Sequence, residues 1–237
     1  MIYGIILAAG TGKRMKSSIQ KQYMDLCGKP VLYYALAAFE NSDVDKIIVV
    51  TGKDEVEYVN KNIIQKYKIS KVQKIVEGGK ERYNSVYNAL CSIDNASTVL
   101  IHDGARPFIS SDKINELIQN AAEYPAIIAG VPVKDTIKST NTEGLVMETI
   151  PRENLWQVQT PQVFDYIKLK KAYEDILGSE HEEGITDDSM IWEKIYKNYP
   201  VKMIFGDYNN IKLTTPEDLV VGESIINASK STKYSCV

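Results

Sequence analysis

The sequence is poor in the residues that form disulfides and bind transition metals. It holds three cysteines, Cys27, Cys91 and Cys236, whose odd number and unpaired spacing exclude a disulfide framework. Reduced thiols are typical of cytoplasmic proteins, and the cytoplasm is the location we expect. The two histidines, His102 and His181, are too few for us to expect a zinc site.

Long apolar runs and a large excess of one charge are also absent. No apolar stretch approaches about 18 residues, and the chain starts in a predicted strand without a cationic leader or signal core, so we expect no membrane association. The net charge of −3 does not indicate a nucleic-acid surface. A hydrophobic share of 44% over 237 residues is enough for one domain with a buried core.

Short apolar runs alternate with amphipathic stretches through the first half of the chain. This alternation predicts an α/β fold with a mostly parallel sheet that helices cover on both faces. We expect a single domain over residues 1–228 and a disordered tail over 229–237. The predicted strands are 2–8, 46–51, 72–77, 98–102, 126–133, 155–164 and 201–205.

Residues 134–153 predict a protruding arm. Two β-prone runs, 136–139 and 145–150, flank the turn-forming sequence NTEG, which is typical of a hairpin. An isolated two-stranded hairpin is marginally stable in water, so this one needs another surface to dock on. We expect a second copy of the chain to supply that surface, which makes the protein a homodimer.

The end of the first predicted strand has the composition of a phosphate-binding turn. Small residues allow the backbone to approach an anion closely and to point N–H groups at it. Residues 12–30 carry five cations against Asp25 alone, within an acidic protein. We therefore predict a pocket for a nucleoside triphosphate. The small residues are Ala8, Ala9, Gly10 and Gly12, and the nearest cations are Lys13, Arg14, Lys16 and Lys21.

Two standard nucleotide motifs do not fit this turn. A Walker A loop requires Ser or Thr after its Gly-Lys pair, where this chain has Arg14. A dinucleotide fingerprint requires a third glycine, where this chain has Met15. A tight strand-to-helix turn with solvated cations is the alternative interpretation of the segment.

Polar residues follow several other predicted strands, and the carboxyl ends of parallel strands meet at one edge of a sheet. Asp103 is a candidate Mg²⁺ ligand beside a triphosphate, or else a cap of the next turn. We expect His102 to position that turn. Arg106 pairs with a carboxylate or meets a second phosphate, and the sequence leaves both open. Candidates with weaker local signals are Gly79 and Ser85 for a base edge, Thr160, and Lys212 before a helix start.

Seven motifs, in order along the chain, resemble those of the 2-C-methyl-D-erythritol 4-phosphate cytidylyltransferases. The similarity extends from residue 2 to about residue 226 and is more specific than any one motif. It implies a Rossmann-like nucleotidyltransferase sheet with a protruding arm, a homodimer, and Mg²⁺-dependent transfer of CMP from CTP to methylerythritol phosphate in nonmevalonate isoprenoid synthesis. The motifs are ILAAGTGKRM with Lys21-Gln22-Tyr23, VEGGKERYNSV, VLIHDGARPFI, PVKDTIK, LWQVQTPQVF, Thr186-Asp187-Asp188 and NNIKLTTPEDL.

The resemblance also implies roles for individual residues. Arg14 and Lys21 would stabilise the transition state. Arg152 and Lys212 would place the substrate phosphate, and Asp103 would hold the metal. The implied nucleotide-binding residues are Ala8, Ala9, Gly10, Gly12, Gly79, Ser85 and Gly104, and the implied substrate-binding residues are Ala105, Arg106, Thr136 and Thr160.

Two other functions share part of this pattern. A cytidylyltransferase for ribitol 5-phosphate or another alditol phosphate has the same plan, although such enzymes tend to have AGG where this chain has AAG, and a variant of the HDGARP turn. A noncatalytic regulator with a nucleotide pocket would be expected to have lost Arg14, Lys21, Asp103 or Lys212, and all four are present here. At Lys80 the chain departs from the family, which often has an acidic residue there, and this leaves the ribose contacts open.

Overall fold

The structure, a computed structural model, describes residues 1–10, 20–179 and 184–234, with the backbone alone for 230–234. In chain order its strands are β1 (Ile2–Ala8), β2 (Asp25–Leu26), β3 (Lys29–Pro30), β4 (Lys46–Thr51), β5 (Val72–Glu77), β6 (Thr98–Asp103), β7 (Ala126–Pro132), β8 (Ile137–Thr140), β9 (Val146–Ile150), β10 (Trp156–Asp165) and β11 (Lys202–Phe205). Seven of these strands form the central sheet, in the order β11-β7-β10-β6-β1-β4-β5.

The central sheet is mostly parallel, as predicted. Strand β1 pairs in parallel with β4 and β6, β4 pairs with β5, and β7 pairs with β11. Strand β10 is the exception, because it lies antiparallel between β6 and β7. The chain leaves the carboxyl end of β7, forms the arm and returns at the same edge of the sheet, so the returning strand runs in the opposite direction.

Helices pack on both faces of the sheet and create two cores. The helices are α1 (Val31–Glu40), α2 (Val56–Val59) with a π-helical continuation (Asn60–Gln65), α3 (Arg82–Cys91), α4 (Ser111–Asn120), α5 (Tyr166–Ile176), α6 (Asp188–Ile195) and α7 (Pro216–Tyr234), and a 3-10 turn spans Lys21–Tyr23. In β1, Ile5 belongs to the core with α3, α5 and α6, whereas Ile6 belongs to the core with α1, α2 and α4. Successive strand residues point to opposite faces, so a strand buried on both sides is apolar throughout.

Strands β8 and β9 form a separate two-stranded sheet, which is the predicted hairpin arm. Gly144 closes its turn with a φ of +82°, a conformation that glycine adopts without strain. Beside the turn, Leu145, Val146 and Met147 are 60%, 60% and 68% exposed. The arm therefore forms with an apolar tip, and its docking on a second copy stays a prediction.

The last helix, α7, runs to Tyr234, so residues 229–234 of the tail that was predicted to be disordered are helical, and residues 235–237 lie outside the described residues. Its start is ordered by Asp218, whose carboxylate accepts hydrogen bonds from the backbone N–H groups of Thr214 and Thr215, at 2.7 and 2.9 Å. After Gly222 the helix contains neither glycine nor proline, so residues 223–234 hold no residue type that stops a helix. Among the residues with described positions, no helix combines the length and hydropathy that a membrane span needs.

Candidate active site

Two adjoining cavities lie at the carboxyl ends of the central strands. The first, of about 330 Å³, lies between the end of β1, the β5–α3 turn and the end of β6. The second, of about 220 Å³, lies between β6, β10 and the start of α6. Arg82, Asp103 and Lys212 line both cavities and so form their border. Of the other predicted site residues, the first cavity is lined by Ala8, Ala9, Gly10, Lys21, Gly79, Ser85 and Ala105, and the second by Arg106 and Thr160.

Glycine at two positions of the β5–α3 turn allows it to pack closely against the first turn of α3 and against Ala9, which follows β1. A Cβ on Gly79 would lie 2.3 Å from the Cβ of Asn84, and one on Gly78 would lie 2.6 Å from the Cβ of Ala9. The backbone N–H of Gly79 donates to Ser85 Oγ at 3.0 Å, and that hydroxyl donates to a backbone carbonyl of the same turn at 3.1 Å. The Ser85 side chain therefore holds the turn while it lines the cavity.

Asp103 lies at the end of β6 among three cations. Its Oδ2 is 2.7 Å from Lys212 Nζ and 3.8 Å from Arg106 Nε, and its Oδ1 is 3.6 Å from Arg82 Nε. Burial alone would raise the pKa of this carboxyl, but the three cations outweigh burial and hold the pKa well below its usual range. Asp103 is therefore ionised at neutral pH and fixes positive charge at the border of the two cavities.

A buried network holds Arg82 at this border. Its guanidinium forms a bidentate ion pair with Asp188, with N–O distances of 2.9 and 2.7 Å, and Tyr173 donates its hydroxyl to the same carboxylate. Gln162 on β10 accepts hydrogen bonds from the backbone N–H groups of Asp188 and the next residue, both at 3.1 Å. Burial would lower the pKa of Arg82, but the charges of Asp188 and Asp103 raise it above its ordinary value. Arg82 consequently stays charged and well oriented.

Sequence reasoning did not assign a role to Arg82 or Asp188. The two residues are 106 positions apart, so no local pattern relates them. Both lie in motifs that carry the family resemblance, Arg82 in VEGGKERYNSV and Asp188 in the Thr-Asp-Asp motif. That placement is the signal by which they could have been found.

His102 positions the turn after β6, in agreement with its prediction. It is fully buried, with Nε2 at 3.0 Å from the carbonyl oxygen of Arg106 and Nδ1 at 2.9 Å from Thr160 Oγ1. The same threonine oxygen accepts a hydrogen bond from the backbone N–H of Asp103 at 3.0 Å. Burial lowers the pKa of His102 to about 4, so its imidazole is neutral at pH 7.

Two contacts bring the loop before α7 to the site. The Arg106 guanidinium donates to the carbonyl oxygen of Asn210 at 2.7 Å, and the backbone N–H of Leu213 donates to the carbonyl oxygen of Ala105 at 2.8 Å. These contacts place Lys212 beside Asp103. Of the two possibilities left open for Arg106, the structure contains the carboxylate pairing, and the side chain also lines the second cavity.

The remaining predicted residues are placed elsewhere. Gly104 packs against β1, where its N–H donates to the carbonyl oxygen of Leu7 at 2.8 Å and a Cβ would lie 2.9 Å from that oxygen. Thr136 and Arg152 are exposed at the base of the arm and line neither cavity of this chain. Two further predictions, Gly12 and Arg14, lie outside the described residues.

The acidic side chains near the first cavity fit only one kind of metal site. Within the part of the chain that the structure describes, no three His, Cys, Asp or Glu side chains are grouped as ligands. The carboxylates that line the first cavity are Asp103 and Glu81, and Glu81 caps α3. This donor set suits a cation that takes one carboxylate and obtains its other ligands from phosphate and water.

A mostly parallel sheet with a cationic double cavity at its strand ends is the architecture of an α/β nucleotidyltransferase. The chain belongs to the 2-C-methyl-D-erythritol 4-phosphate cytidylyltransferase (IspD) family, whose model matches residues 2–228. The resemblance found in the sequence motifs is thereby confirmed.

Relatives and solved structures agree with this assignment over nearly the whole chain. The chain is 51% identical to the 2-C-methyl-D-erythritol 4-phosphate cytidylyltransferase of Lachnoclostridium phytofermentans, over 95% of this chain and 96% of that one. It is 49% identical to the enzyme of the same name from Alkaliphilus metalliredigens, over 95% and 93%. The crystal structure of 4-diphosphocytidyl-2C-methyl-D-erythritol synthase from Anaerococcus prevotii matches with a TM-score of 0.83 at 34% identity, over 95% of this chain and 96% of that one.

Proposed function

We propose that the protein transfers CMP from CTP to the phosphate of 2-C-methyl-D-erythritol 4-phosphate, which gives 4-diphosphocytidyl-2-C-methyl-D-erythritol and pyrophosphate. The observation that carries this proposal is the pair of adjoining cavities that share Arg82, Asp103 and Lys212, in a chain of this family. Two polyanionic substrates need neighbouring pockets with positive charge between them. The cavity beside the small residues at the end of β1 suits the triphosphate, and the second cavity suits the acceptor phosphate.

The reaction needs no nucleophile from the protein, because the acceptor phosphate is already an oxyanion. One of its oxygens attacks the α-phosphorus of CTP, a new P–O bond forms, and the bond to the β-phosphate breaks to release pyrophosphate. The site must place two mutually repelling anions in line and neutralise the charge that grows on the α-phosphate. Among the described cations, Lys21 suits the neutralisation of this charge, for which Arg14 is also predicted, and Lys212 suits the placement of the acceptor phosphate.

Asp103 is the side chain that would hold a divalent cation. Its carboxylate is ionised and lies at the border of the two cavities. When bound, Mg²⁺ supplies charge neutralisation to the triphosphate. Lys212 Nζ lies 2.7 Å from Oδ2 of this carboxylate, so a bound cation would compete with the lysine for Asp103. This competition would direct Lys212 toward the acceptor phosphate.

The proposed enzyme is a homodimer that uses the arm formed by β8 and β9. Three large apolar side chains at its tip are at least 60% exposed, which is costly for a hairpin that makes no further contacts. Arg152 and Thr136 lie at the base of the arm, away from the cavities of their own chain. The arm would carry them to the active site of the second copy.

A comparison of two acceptors tests the proposed reaction. Purified protein is incubated with Mg²⁺, CTP and either methylerythritol phosphate or ribitol 5-phosphate, and pyrophosphate release is measured. We expect release with methylerythritol phosphate and its loss when EDTA removes the metal. Pyrophosphate release with ribitol 5-phosphate and not with methylerythritol phosphate would show that the protein is a cytidylyltransferase for the alternative acceptor.

A further inference from the structure

Gln22 occupies a buried position beside the proposed nucleotide cavity. It lies in the 3-10 turn Lys21–Tyr23 and is only 2% exposed. Its side-chain Nε2 donates to the carbonyl oxygen of Ala8 at 2.5 Å and to that of Gly10 at 3.1 Å. A primary amide nitrogen carries two hydrogens, so one side chain satisfies both carbonyl groups. Gln22 therefore bridges the backbone on either side of Ala9.

This bridge determines the direction of backbone groups that line the cavity. In a trans peptide the C=O and the following N–H point in opposite directions within one plane. When Gln22 holds the carbonyl oxygen of Ala8, it also orients the N–H of Ala9. Because Ala8, Ala9 and Gly10 all line the first cavity, the amide acts on the backbone that we propose to contact the triphosphate.

The segment that contains Gln22 is also anchored on its other side. Tyr23 donates its hydroxyl to Glu55 Oε2 at 2.7 Å, and Gln20 Nε2 donates to Glu55 Oε1 at 2.6 Å. The same carboxylate accepts the backbone N–H of Gly52 at 2.9 Å. The residues that flank Lys21 are thus tied both to the end of β1 and to the β4–α2 loop. Lys21 itself lines the first cavity.

We infer that Gln22 is a positioning residue that holds the nucleotide-contacting backbone of residues 8–10 and the main chain of Lys21 as one unit. The inference rests on the proposed function, in which residues 8–10 and Lys21 act on the same triphosphate. Glutamine suits this position chemically. A carboxylate of the same shape would face two carbonyl oxygens without a hydrogen to donate, and a methionine would remove the hydrogen bonds to both carbonyl groups.

The test compares Gln22→Met and the nearly isosteric Gln22→Glu with a matched control, Ser42→Ala. Ser42 is also buried, and its hydroxyl donates to the carbonyl oxygen of Phe39 at 2.8 Å, next to the amino end of β4 and away from both cavities. For each variant the melting temperature, the kcat, the KM for CTP and the dissociation constant of CTP are measured. We expect both Gln22 variants to lower kcat/KM for CTP about 10- to 100-fold, the range for misplaced reacting groups. Ser42→Ala should lower only the melting temperature.

A double-mutant cycle with Lys21→Ala separates positioning from a general loss of structure. If Gln22 acts through Lys21, the kcat losses of the two single variants will not multiply in the double variant. A kcat/KM within twofold of the wild type, or fully multiplicative losses of kcat, would overturn the inference. The inference would also be overturned if Ser42→Ala lost activity in proportion to the fall in its melting temperature. If Gln22→Met does not fold, the kinetics and CTP binding of Gln22→Glu alone test the inference.

The dissociation constant of CTP is measured without an acceptor, so it separates two possible failures. If methylerythritol phosphate is not a substrate but CTP binds, weaker binding in the Gln22 variants still supports the positioning role. Unchanged binding and unchanged kcat in an active enzyme would refute the role of Gln22 and leave the proposed function intact.

Discussion

Arg82 and Asp188 join two distant motifs of the chain through a bidentate ion pair with N–O distances of 2.9 and 2.7 Å. The Asp188 side chain is fully buried, and that of Arg82 is 28% exposed. Because Arg82 also lies 3.6 Å from Asp103, the pair connects the start of α6 to the border of the two cavities. The stability of the fold and the charge of the site are therefore linked at Arg82.

Asp188→Asn should destabilise the protein strongly, because it removes the buried carboxylate that forms the bidentate ion pair with the Arg82 guanidinium. We expect the free energy of unfolding to fall by about 3 kcal/mol, as for other broken buried pairs. Urea unfolding followed by circular dichroism measures this change. The control is Asp175→Asn, which breaks an exposed ion pair with Lys171 and should have no measurable effect. Equal effects of the two substitutions would contradict the prediction.

Lys21→Ala should reduce turnover more than nucleotide binding, since the residue is predicted to act on charge that grows in the transition state. Removal of one such group lowers kcat by about 100- to 1000-fold in other enzymes. Steady-state kinetics and calorimetric titration of CTP separate the two effects. Lys29→Ala serves as control, because Lys29 belongs to the same basic segment but donates to the Tyr33 hydroxyl at 2.9 Å. An unchanged kcat would remove Lys21 from the catalytic residues.

Met147→Asp should break the proposed dimer, because it places a charge on the exposed apolar tip of the arm. Sedimentation velocity should show monomers with little activity. If Arg152 acts in the partner's site, a mixture of Arg152→Ala and Lys212→Ala protomers should recover activity, since mixed dimers contain one intact site. A monomer with full activity would rule out a shared site.

Glu40→Gln should alter the acid sensitivity of the fold without an effect on catalysis. The Glu40 carboxylate accepts backbone hydrogen bonds from Ser70 at 3.0 Å and Lys71 at 2.9 Å. Burial would raise the pKa of Glu40, but these hydrogen bonds, together with that of the Ser70 hydroxyl, lower it below its ordinary value of 4.5. A depressed pKa stabilises the folded state above the unfolded value, and this contribution is lost as the pH falls through the folded value.

Unfolding free energies at several pH values check this last prediction. The advantage of the wild type over Glu40→Gln should be constant at neutral pH and shrink as the pH falls below about 4.5. An advantage that grew on acidification would show that the sign of the shift is wrong. Activity at neutral pH should be equal in the two proteins.

Much of the fold could be predicted because buried parallel strands leave a local pattern. The predicted strands 2–8, 46–51 and 72–77 agree in both bounds with β1, β4 and β5. Each is an apolar run that polar turns bound, and burial on both faces makes such a run stand out in the sequence. The hairpin was predicted to within one residue at each strand bound, because its turn sequence is short and the residues on either side favour strands.

The candidate site was predictable in part. Asp103, Lys21 and Lys212 were predicted from their places after strands or within motifs, and the structure brings all three to the first cavity. The packing of Gly104 was not predictable, since the distance of a residue from a cavity depends on tertiary contacts, whereas the place of Arg152 follows from the predicted arm and its role stays a prediction. Gly104 packs against β1, and Arg152 lies on the exposed arm.

The local sequence pattern was enough to specify the α/β class and the hairpin arm, because hydrophobic periodicity and turn residues act between neighbours in the chain. Folding in three dimensions was needed for the antiparallel course of β10, the Arg82–Asp188 pair and the two carbonyl groups bridged by Gln22. These features join segments that are distant along the chain or depend on the geometry of single side chains. Only the packed core brings such groups within hydrogen-bonding distance.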